Sequence, residues 1–194
     1  MQVNLARMKY KVGVCAIQGD FEKHILSLKA LGVEAKEVRT LQDLDQVERL
    51  IIPGGESTTV GLLMERYGMG RAIQERAAMG MPIWGTCMGM ILLAKEVEDR
   101  EQYRLGLMDI SVKRNAFGAQ IHSFEDTVSV KGLDVPVLGV FIRAPIVSKT
   151  WGKCEVIATY EDKIVGVRQG KLLGTAFHPE MTDDTRMHSW FLSI

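Results

Sequence analysis

The chain has 194 residues, of which 46% are apolar and 25% charged, as expected for one globular domain with a sizeable core. Its formal net charge is zero, so no global field would draw it to nucleic acid or to an anionic membrane surface. No apolar run reaches the roughly 18–20 residues of a membrane-spanning helix, and residues 1–11 lack the zones of a signal peptide, which predicts a cytoplasmic protein.

The first half of the chain alternates β-branched apolar runs with amphipathic segments, after a short extension over residues 1–8. Asp20 is placed to cap the first helix, and Ser57, Thr58 and Thr59 to cap the second. Strand–helix alternation of this kind predicts a parallel α/β sheet. The predicted strands cover residues 10–17, 33–38, 49–52 and 82–84, and the predicted helices cover 21–31, 57–67, 71–79 and 88–96.

In the second half the pattern changes to short apolar strands separated by Gly, Pro and Asp, with tight turns at residues 161–163 and 169–170. A last helix is predicted from about residue 184 to 192. The whole chain, residues 1–194, is therefore predicted to be one α/β domain: a three-layer sandwich with a mostly parallel central sheet and added antiparallel strands. The added strands are predicted over residues 109–113, 127–130, 137–142, 155–160, 164–168 and 172–177.

Gly85-Thr86-Cys87-Met88-Gly89 is the strongest local signal for chemistry. It is a G-x-C-x-G pentapeptide between a strand and a helix, the pattern of a nucleophile elbow with Cys in place of Ser. The glycines avoid steric clash in such a turn, and the amide of Met88 would point towards the reacting carbonyl. A buried structural cysteine in a glycine-rich turn is the alternative. Since Cys15, Cys87 and Cys154 are a poor disulfide framework, at least one thiol is free to react.

Phe177-His178-Pro179-Glu180 follows an apolar strand, at the sheet edge where α/β proteins form their sites. A cysteine nucleophile needs a base, usually His, and the base needs a carboxylate that fixes its tautomer. By itself His178 would be an ordinary surface residue. Combined with the elbow, it predicts a triad of Cys87, His178 and Glu180.

The segment Pro53-Gly54-Gly55-Glu56-Ser57 also ends a strand and opens a helix. Its two glycines let the backbone approach a ligand closely, and the N–H of Gly55 would complete an oxyanion hole with that of Met88. The alternative is a glycine-rich turn capped by Ser57. A phosphate loop is disfavoured, because no Gly-Lys-Ser/Thr ending follows.

The remaining polar candidates carry less weight. His24, His122 and His188 have no metal-ligand spacing, and no Cys-x-x-Cys occurs, so we expect no metal site. His24 and His188 are predicted to be hydrogen-bonded helix residues without a catalytic role. Arg114 and Arg143 each follow a strand-like run and suit a carboxylate, although an ordinary surface position is the alternative for either.

These motifs resemble those of the class I, or triad, glutamine amidotransferases, and within that family the glutaminase subunits of pyridoxal 5′-phosphate synthase. The triad alone fits many amidotransferases, whereas residues 114–118 and 182–186 are much more specific to this branch. The similarity covers nearly the whole chain. Matching segments are residues 18–20 with His24, 53–59, 85–87, 89–94, 106–109, 114–118, 141–145, 177–180 and 182–186.

The resemblance implies a flavodoxin-like fold that hydrolyses L-glutamine to L-glutamate and ammonia without a metal or organic cofactor. Cys87 would be the nucleophile, His178 the base and Glu180 its orienting partner. The backbone N–H groups of Gly55 and Met88 would form the oxyanion hole. Residues lining the glutamine site would be Gly55, Glu56, Ser57, Arg114, Ile142 and Arg143.

A partner is also implied by the resemblance: a synthase subunit with a (β/α)8 barrel, which would use the ammonia to make pyridoxal 5′-phosphate in a hetero-oligomeric complex. Gln18 and its neighbours are candidates for the docking surface. Met88 stands where the elbow usually carries Ala, and Ala119 and His122 stand where Arg and Asp are expected.

On the residues alone, two other functions stay open. One is a triad amidohydrolase that acts by itself on another amide. The other is a non-enzymatic α/β domain that binds or senses through a reactive Cys87 thiol. Partner-dependent glutamate release separates the first from a glutaminase subunit, and trapping of Cys87 by a glutamine-analogue electrophile argues against the second.

Overall fold

The computed structural model describes residues 10–98, 100–117 and 123–194, so the predicted extension over residues 1–8 and the positions Ala119 and His122 lie outside it. Its strands are β1 Lys11–Cys15, β2 Glu34–Val38, β3 Arg49–Ile52, β4 Ile83–Thr86, β5 Ala94–Val97, β6 Met108–Lys113, β7 Ser123–Val128, β8 Val137–Ile142, β9 Ile146–Thr150, β10 Glu155–Tyr160, β11 Lys163–Gln169 and β12 Leu172–Thr175. Its helices are α1 Phe21–Ala30, α2 Leu41–Asp45, α3 Ser57–Arg66, α4 Met69–Ala78, α5 Met88–Leu93 and α6 Arg186–Leu192, with a 3₁₀ turn at Pro179–Met181.

One large sheet organises the chain, with strand order β2-β1-β3-β4-β12-β11-β9-β6-β5 and β10 paired to β11. From β2 to β12 neighbouring strands are parallel, and antiparallel pairing begins between β12 and β11. A separate antiparallel hairpin is formed by β7 and β8. The arrangement confirms the predicted α/β fold, a mostly parallel sheet with added antiparallel strands.

The strand registers bring three predicted motifs to one edge of the sheet. Strands β3, β4 and β12 are parallel neighbours, with Ile52 opposite Gly85 and Thr86 opposite Thr175. Because parallel strands end at the same edge, the segments that follow them meet there. Those segments are the glycine loop at residues 53–57, the elbow at Cys87 and the loop that carries His178.

Helices cover both faces of the parallel strands, which confirms the three-layer prediction. Successive side chains on a strand point to opposite faces. On one side of β4, Trp84 packs against His24 of α1 and against His188 and Phe191 of α6. On the other side, Gly85 lies directly under α5, which itself contacts α3. Strands β3 and β4 are buried along their whole length.

The turn between β10 and β11 follows the sequence prediction. Glu161 and Asp162 have φ of 44° and 62°, and the strands pair as Tyr160 with Lys163 on either side of them. Positive φ at both central residues is the geometry of a two-residue type I′ hairpin, whose twist matches that of the strands.

No helix among the described residues has the length and apolarity needed to cross a membrane.

Several predicted element boundaries are wrong for identifiable reasons. The helix predicted over residues 88–96 ends at Leu93, because the chain turns extended at Ala94 and pairs with β6 as strand β5. Tertiary pairing here overrides the helix propensity of the segment. Helix α2 and strand β9 were not predicted, since each is only five residues long and shows no clear period. Asp20 occupies the N-cap of α1, but its side chain makes no capping hydrogen bond.

Candidate active site

Cys87 lies in a strained turn between β4 and α5. Its backbone has φ of 48° and ψ of −103°, an uncommon conformation for a residue with a side chain. A Cβ at Gly85 would lie 2.4 Å from the carbonyl carbon of Gly89, and one at Gly89 would lie 2.0 Å from the oxygen of Ile52. Both glycines are therefore required, because α5 starts in direct contact with strands β3 and β4.

The loop after β12 presents His178 to this elbow. The backbone N–H of His178 donates to the carbonyl of Val140 over 2.8 Å, and its ring Nδ1 lies 2.8 Å from Oε1 of Glu180. Burial opposes protonation of the ring, but hydrogen bonds to Cys87 and Glu180 raise the pKa of His178 to about 10. The imidazole of His178 is thus hydrogen-bonded to the carboxylate and electrostatically coupled to the sulfur of Cys87, an arrangement in keeping with the predicted triad.

Glu180 is ionised although it is almost completely buried. Burial by itself would raise its pKa, whereas the nearby rings of His24 and His178 lower the pKa of Glu180 to about 2. An ionised carboxylate beside His178 Nδ1 fixes the ring with its proton on that nitrogen and its other nitrogen towards the sulfur.

A small cavity of about 90 Å³ opens beside the sulfur. Every residue predicted to bind substrate or to form the oxyanion hole lines it, together with two that sequence reasoning missed, Ile91 and Asn115. A larger groove of about 510 Å³ near Leu41 and Tyr67 contains none of them. The residues that line the small cavity are Gly55, Glu56, Ser57, Cys87, Met88, Ile91, Arg114, Asn115, Ile142 and Arg143.

The start of α3 differs from the prediction in its capping residue. Glu56 is the N-cap, and its carboxylate accepts hydrogen bonds from the amides of Thr58 and Thr59 over 3.1 Å and 2.8 Å. Partial burial opposes ionisation, but these hydrogen bonds lower the pKa of Glu56 to about 2. The Ser57 hydroxyl, predicted to be the cap, instead donates to Gln102 over 3.1 Å.

Gln102 connects two predicted binding residues and was missed by sequence reasoning. Its side-chain oxygen accepts from the hydroxyl of Ser57 and from Arg114, each over 3.1 Å. The guanidinium of Arg114 also lies 3.6 Å from the carboxylate of Glu56. The planar, charged group is therefore held at the cavity wall, where it can face a carboxylate ligand. Gln102 lies outside any helix or strand, so no periodic pattern marked it.

Backbone strain is concentrated at this cavity. Among the described residues, five other than glycine have positive φ: Glu161 and Asp162 in the β10–β11 turn, and Cys87, Asn115 and Arg143 at the cavity. Strained residues of this kind persist where the surrounding structure holds them and are concentrated at functional sites. Their clustering supports a functional reading of the cavity that is independent of sequence motifs.

Two histidines lie behind the elbow, fully buried. His24 Nδ1 is 2.9 Å from His188 Nε2, and His24 Nε2 is 3.3 Å from the hydroxyl of Thr86. The hydrogen bonds predicted for the rings are confirmed for His24 and for Nε2 of His188, whereas Nδ1 of His188 has no partner among the described residues. Sequence reasoning did not reveal that His24 Nε2 also lies 3.3 Å from Oε2 of Glu180, because α1 and the 3₁₀ turn that carries Glu180 meet only in the folded chain.

Comparison with known proteins gives long and close matches. The sequence fits the SNO glutamine amidotransferase family over residues 14–194. A Herpetosiphon aurantiacus protein named pyridoxal 5′-phosphate synthase subunit PdxT is 54% identical over 188 residues, covering 94% of this chain and 99% of that protein. A Thermus thermophilus protein of the same name is 50% identical over 189 residues, covering 96% and 98%.

One solved structure is similarly close in sequence, and a more distant one shares the fold. A crystal structure described as a glutamine amidotransferase superposes with a TM-score of 0.90 at 49% identity, covering 94% of this chain and 97% of that one. A subunit in the structure of PurLQS from Thermotoga maritima superposes with a TM-score of 0.72 at 20% identity, which shows the shared fold alone.

Proposed function

The chain belongs to the SNO glutamine amidotransferase family, and on that premise we propose that it hydrolyses L-glutamine and supplies the ammonia for pyridoxal 5′-phosphate synthesis. Relatives about half identical over nearly their full length carry the name of that synthase's subunit. The observation that carries the proposal is the placement of the Cys87 elbow and the hydrogen-bonded pair His178–Glu180 beside a cavity with a fixed guanidinium.

In the first half of the reaction, the proton of the Cys87 thiol is held on His178, whose raised pKa of about 10 favours the imidazolium, and the Cys87 thiolate attacks the side-chain amide carbon of glutamine. A carbon–sulfur bond forms and a tetrahedral oxyanion develops. The backbone N–H groups of Gly55 and Met88 stabilise that oxyanion, and one such donor is typically worth about 2.7–4 kcal/mol. His178 then passes its proton to the departing nitrogen, so ammonia leaves and a glutamyl thioester remains.

In the second half, His178 acts as a general base towards water. The water oxygen bonds to the thioester carbon, the carbon–sulfur bond breaks, and glutamate leaves with the sulfur reprotonated by His178. Glu180 stays ionised throughout and stabilises the imidazolium that forms twice in the cycle. Its low pKa, about 2, is consistent with that constant charge.

The cavity walls provide the means to orient glutamine. Arg114 would pair with the α-carboxylate of the substrate, since its planar fork matches a carboxylate. Ile142 and Arg143 would hold the amino acid head group through their backbone, next to Glu56 and Ser57. The carbonyl of Ile142 is only 3.9 Å from the Cys87 sulfur, so a ligand bound to this backbone reaches the nucleophile.

We further propose that ammonia passes to a synthase subunit with a (β/α)8 barrel in a hetero-oligomeric complex. Ammonia released into bulk water at neutral pH would protonate and lose its nucleophilicity, so direct transfer favours such a complex. A cytoplasmic location is part of the same proposal. Cys15, Cys87 and Cys154 are all free thiols, as expected in a reducing compartment.

The test is glutamate release by the Cys87→Ala variant in the presence of saturating synthase subunit. We expect at least about a 1,000-fold loss of rate, because removing a nucleophile abolishes the covalent route, while binding to the synthase is retained. Cys154→Ala, which removes a half-buried thiol outside the cavity, is the matched control and should leave the rate unchanged. Substantial glutamate release by Cys87→Ala would reject the proposed nucleophile.

A further inference from the structure

The two oxygens of Glu180 have different environments. Oε1 lies 2.8 Å from Nδ1 of His178, as the triad requires. Oε2 points the other way, is fully buried, and has no aligned hydrogen-bond donor among the described residues. His24 Nε2 lies 3.3 Å from it, at ion-pair distance. A buried carboxylate oxygen without a donor is costly. The stability of this oxygen therefore depends on which nitrogen of the His24 ring carries the proton.

Only one proton can lie between His24 and His188, whose ring nitrogens are 2.9 Å apart. Burial lowers the pKa of His24 and lowers that of His188 to about 3, so both rings are neutral and each carries one proton. If His188 carries its proton on Nε2, it donates to Nδ1 of His24. The proton of His24 is then on Nε2, which faces Oε2 of Glu180 and the hydroxyl of Thr86.

The opposite assignment leaves Oε2 of Glu180 without a donor from the His24 ring. With its proton on Nδ1, His24 would turn a nitrogen lone pair towards the buried carboxylate. His188 Nδ1 supports the first assignment, since it is buried and has no partner among the described residues. In that assignment this atom is a bare acceptor, and unpaired buried acceptors are tolerated better than unpaired N–H donors.

We propose that His24 is a positioning residue for the triad: its Nε2–H, hydrogen-bonded to Thr86 and 3.3 Å from the second oxygen of Glu180, stabilises that oxygen electrostatically, and His188 fixes the tautomer that places the proton there. This inference rests on the proposed function, because its kinetic consequence is a slower glutaminase. The chain of groups runs from His188 through His24, Glu180 and His178 to Cys87. The carboxylate of Glu180 then has a ring nitrogen on each side, at 2.8 Å and 3.3 Å.

The charged groups around this chain do not change the assignment. His24 feels Glu180 and Asp20, which favour a charged ring, and His178, which opposes one. His188 feels Glu180 and Asp184, which favour charge, and His24, which opposes it. For both rings burial is the dominant effect, and it favours the neutral form.

The first measurement uses the unaltered protein. In ¹⁵N-histidine NMR spectra near neutral pH, we expect His24 and His188 to be neutral and protonated on Nε2. A His24 ring that carries its proton on Nδ1 overturns the inference. This result does not depend on catalysis, so it separates failure of the inference from failure of the proposed function.

The second measurement compares two amide variants in glutamate release with saturating synthase subunit. The amide of His24→Gln reaches about as far as Nε2 and keeps a donor to Glu180, whereas that of His24→Asn reaches only the position of Nδ1. Loss of a hydrogen bond to a charged group predicts about a 10- to 100-fold fall in kcat for His24→Asn. KM should stay within about 2-fold, and His24→Gln within about 3-fold of the parent kcat.

Equal kcat for His24→Asn and the parent overturns the inference. Equal losses in the two amide variants also overturn it, because they would mean that the ring acts through packing alone. The comparison requires that the parent releases glutamate and that Cys87→Ala does not. If that condition fails, the proposed function fails, and the tautomer measurement still decides whether His24 donates to Glu180.

Discussion

Gly54 packs against the ring of His178, so a single methyl group at this position perturbs the alignment of the proposed triad. A Cβ at Gly54 would lie 2.3 Å from Cε1 of His178 and 3.1 Å from its Nδ1. The backbone of Gly54 does not require a left-handed φ, so alanine adds this contact without conformational strain. The ring cannot leave freely, because Glu180 holds its Nδ1 and the backbone N–H of His178 is bonded to the carbonyl of Val140.

The size of the effect follows from the distance. Relaxing the 2.3 Å contact to an ordinary 3.4 Å requires about 1 Å of movement. A misplacement of about 1 Å in a catalytic group costs on the order of 100-fold in rate. We therefore expect Gly54→Ala to lower kcat by about 100-fold. Overpacking costs about 1–3 kcal/mol of stability, which should leave the protein folded at 25 °C.

The assay is steady-state glutamate release with saturating synthase subunit, combined with urea unfolding of each variant. Gly166→Ala is the control, since its Cβ would lie 2.8 Å from that of Ala158 on the neighbouring strand and touches no residue of the cavity. It should lose comparable stability and keep its kcat. If Gly54→Ala kept the parent kcat, or if both variants lost activity in proportion to stability, the alignment argument would be refuted.

Two further predictions concern stability. Glu56→Ala removes the N-cap of α3 and should lower the free energy of unfolding by about 1 kcal/mol in urea titrations, while Glu65→Ala, an exposed change on the same helix, should lower it little; equal effects would contradict the cap. Acid should destabilise the protein below pH 6.5, down to about pH 3 for His188, because the unfolded chain binds protons there while the folded rings of His24 and His188 stay neutral. Each such proton contributes about 1.4 kcal/mol per pH unit. His188→Gln should therefore flatten the stability profile by about one proton, and an unchanged slope would contradict the buried neutral ring.

The sequence identified the parts of the site that local geometry constrains. The elbow at Cys87 needs glycines two residues to either side because α5 touches β3 and β4, and such a requirement leaves a readable spacing. The His178 loop follows a buried strand, which placed it at the correct edge of the sheet. The family resemblance then supplied the predicted binding residues, and the fold places all of them around one cavity.

Features that depend on the assembled fold were beyond sequence reasoning. Gln102 has no periodic neighbours, and its importance comes from contacts with Ser57 and Arg114 in distant elements. His24 and His188 are 164 residues apart, and only the packing of α1 against α6 brings them together. The end of α5 at Leu93 depends on pairing with β6, which competes successfully with local helix propensity.

The most direct measurement is mass spectrometry of the protein treated with a glutamine-analogue electrophile, such as a diazo-ketone amino acid, in the presence of the synthase subunit. We predict a single adduct on Cys87, prevented by excess L-glutamine and absent from Cys15 and Cys154. Glutamine turnover without any adduct at Cys87, or an adduct that glutamine does not prevent, would contradict the central claim.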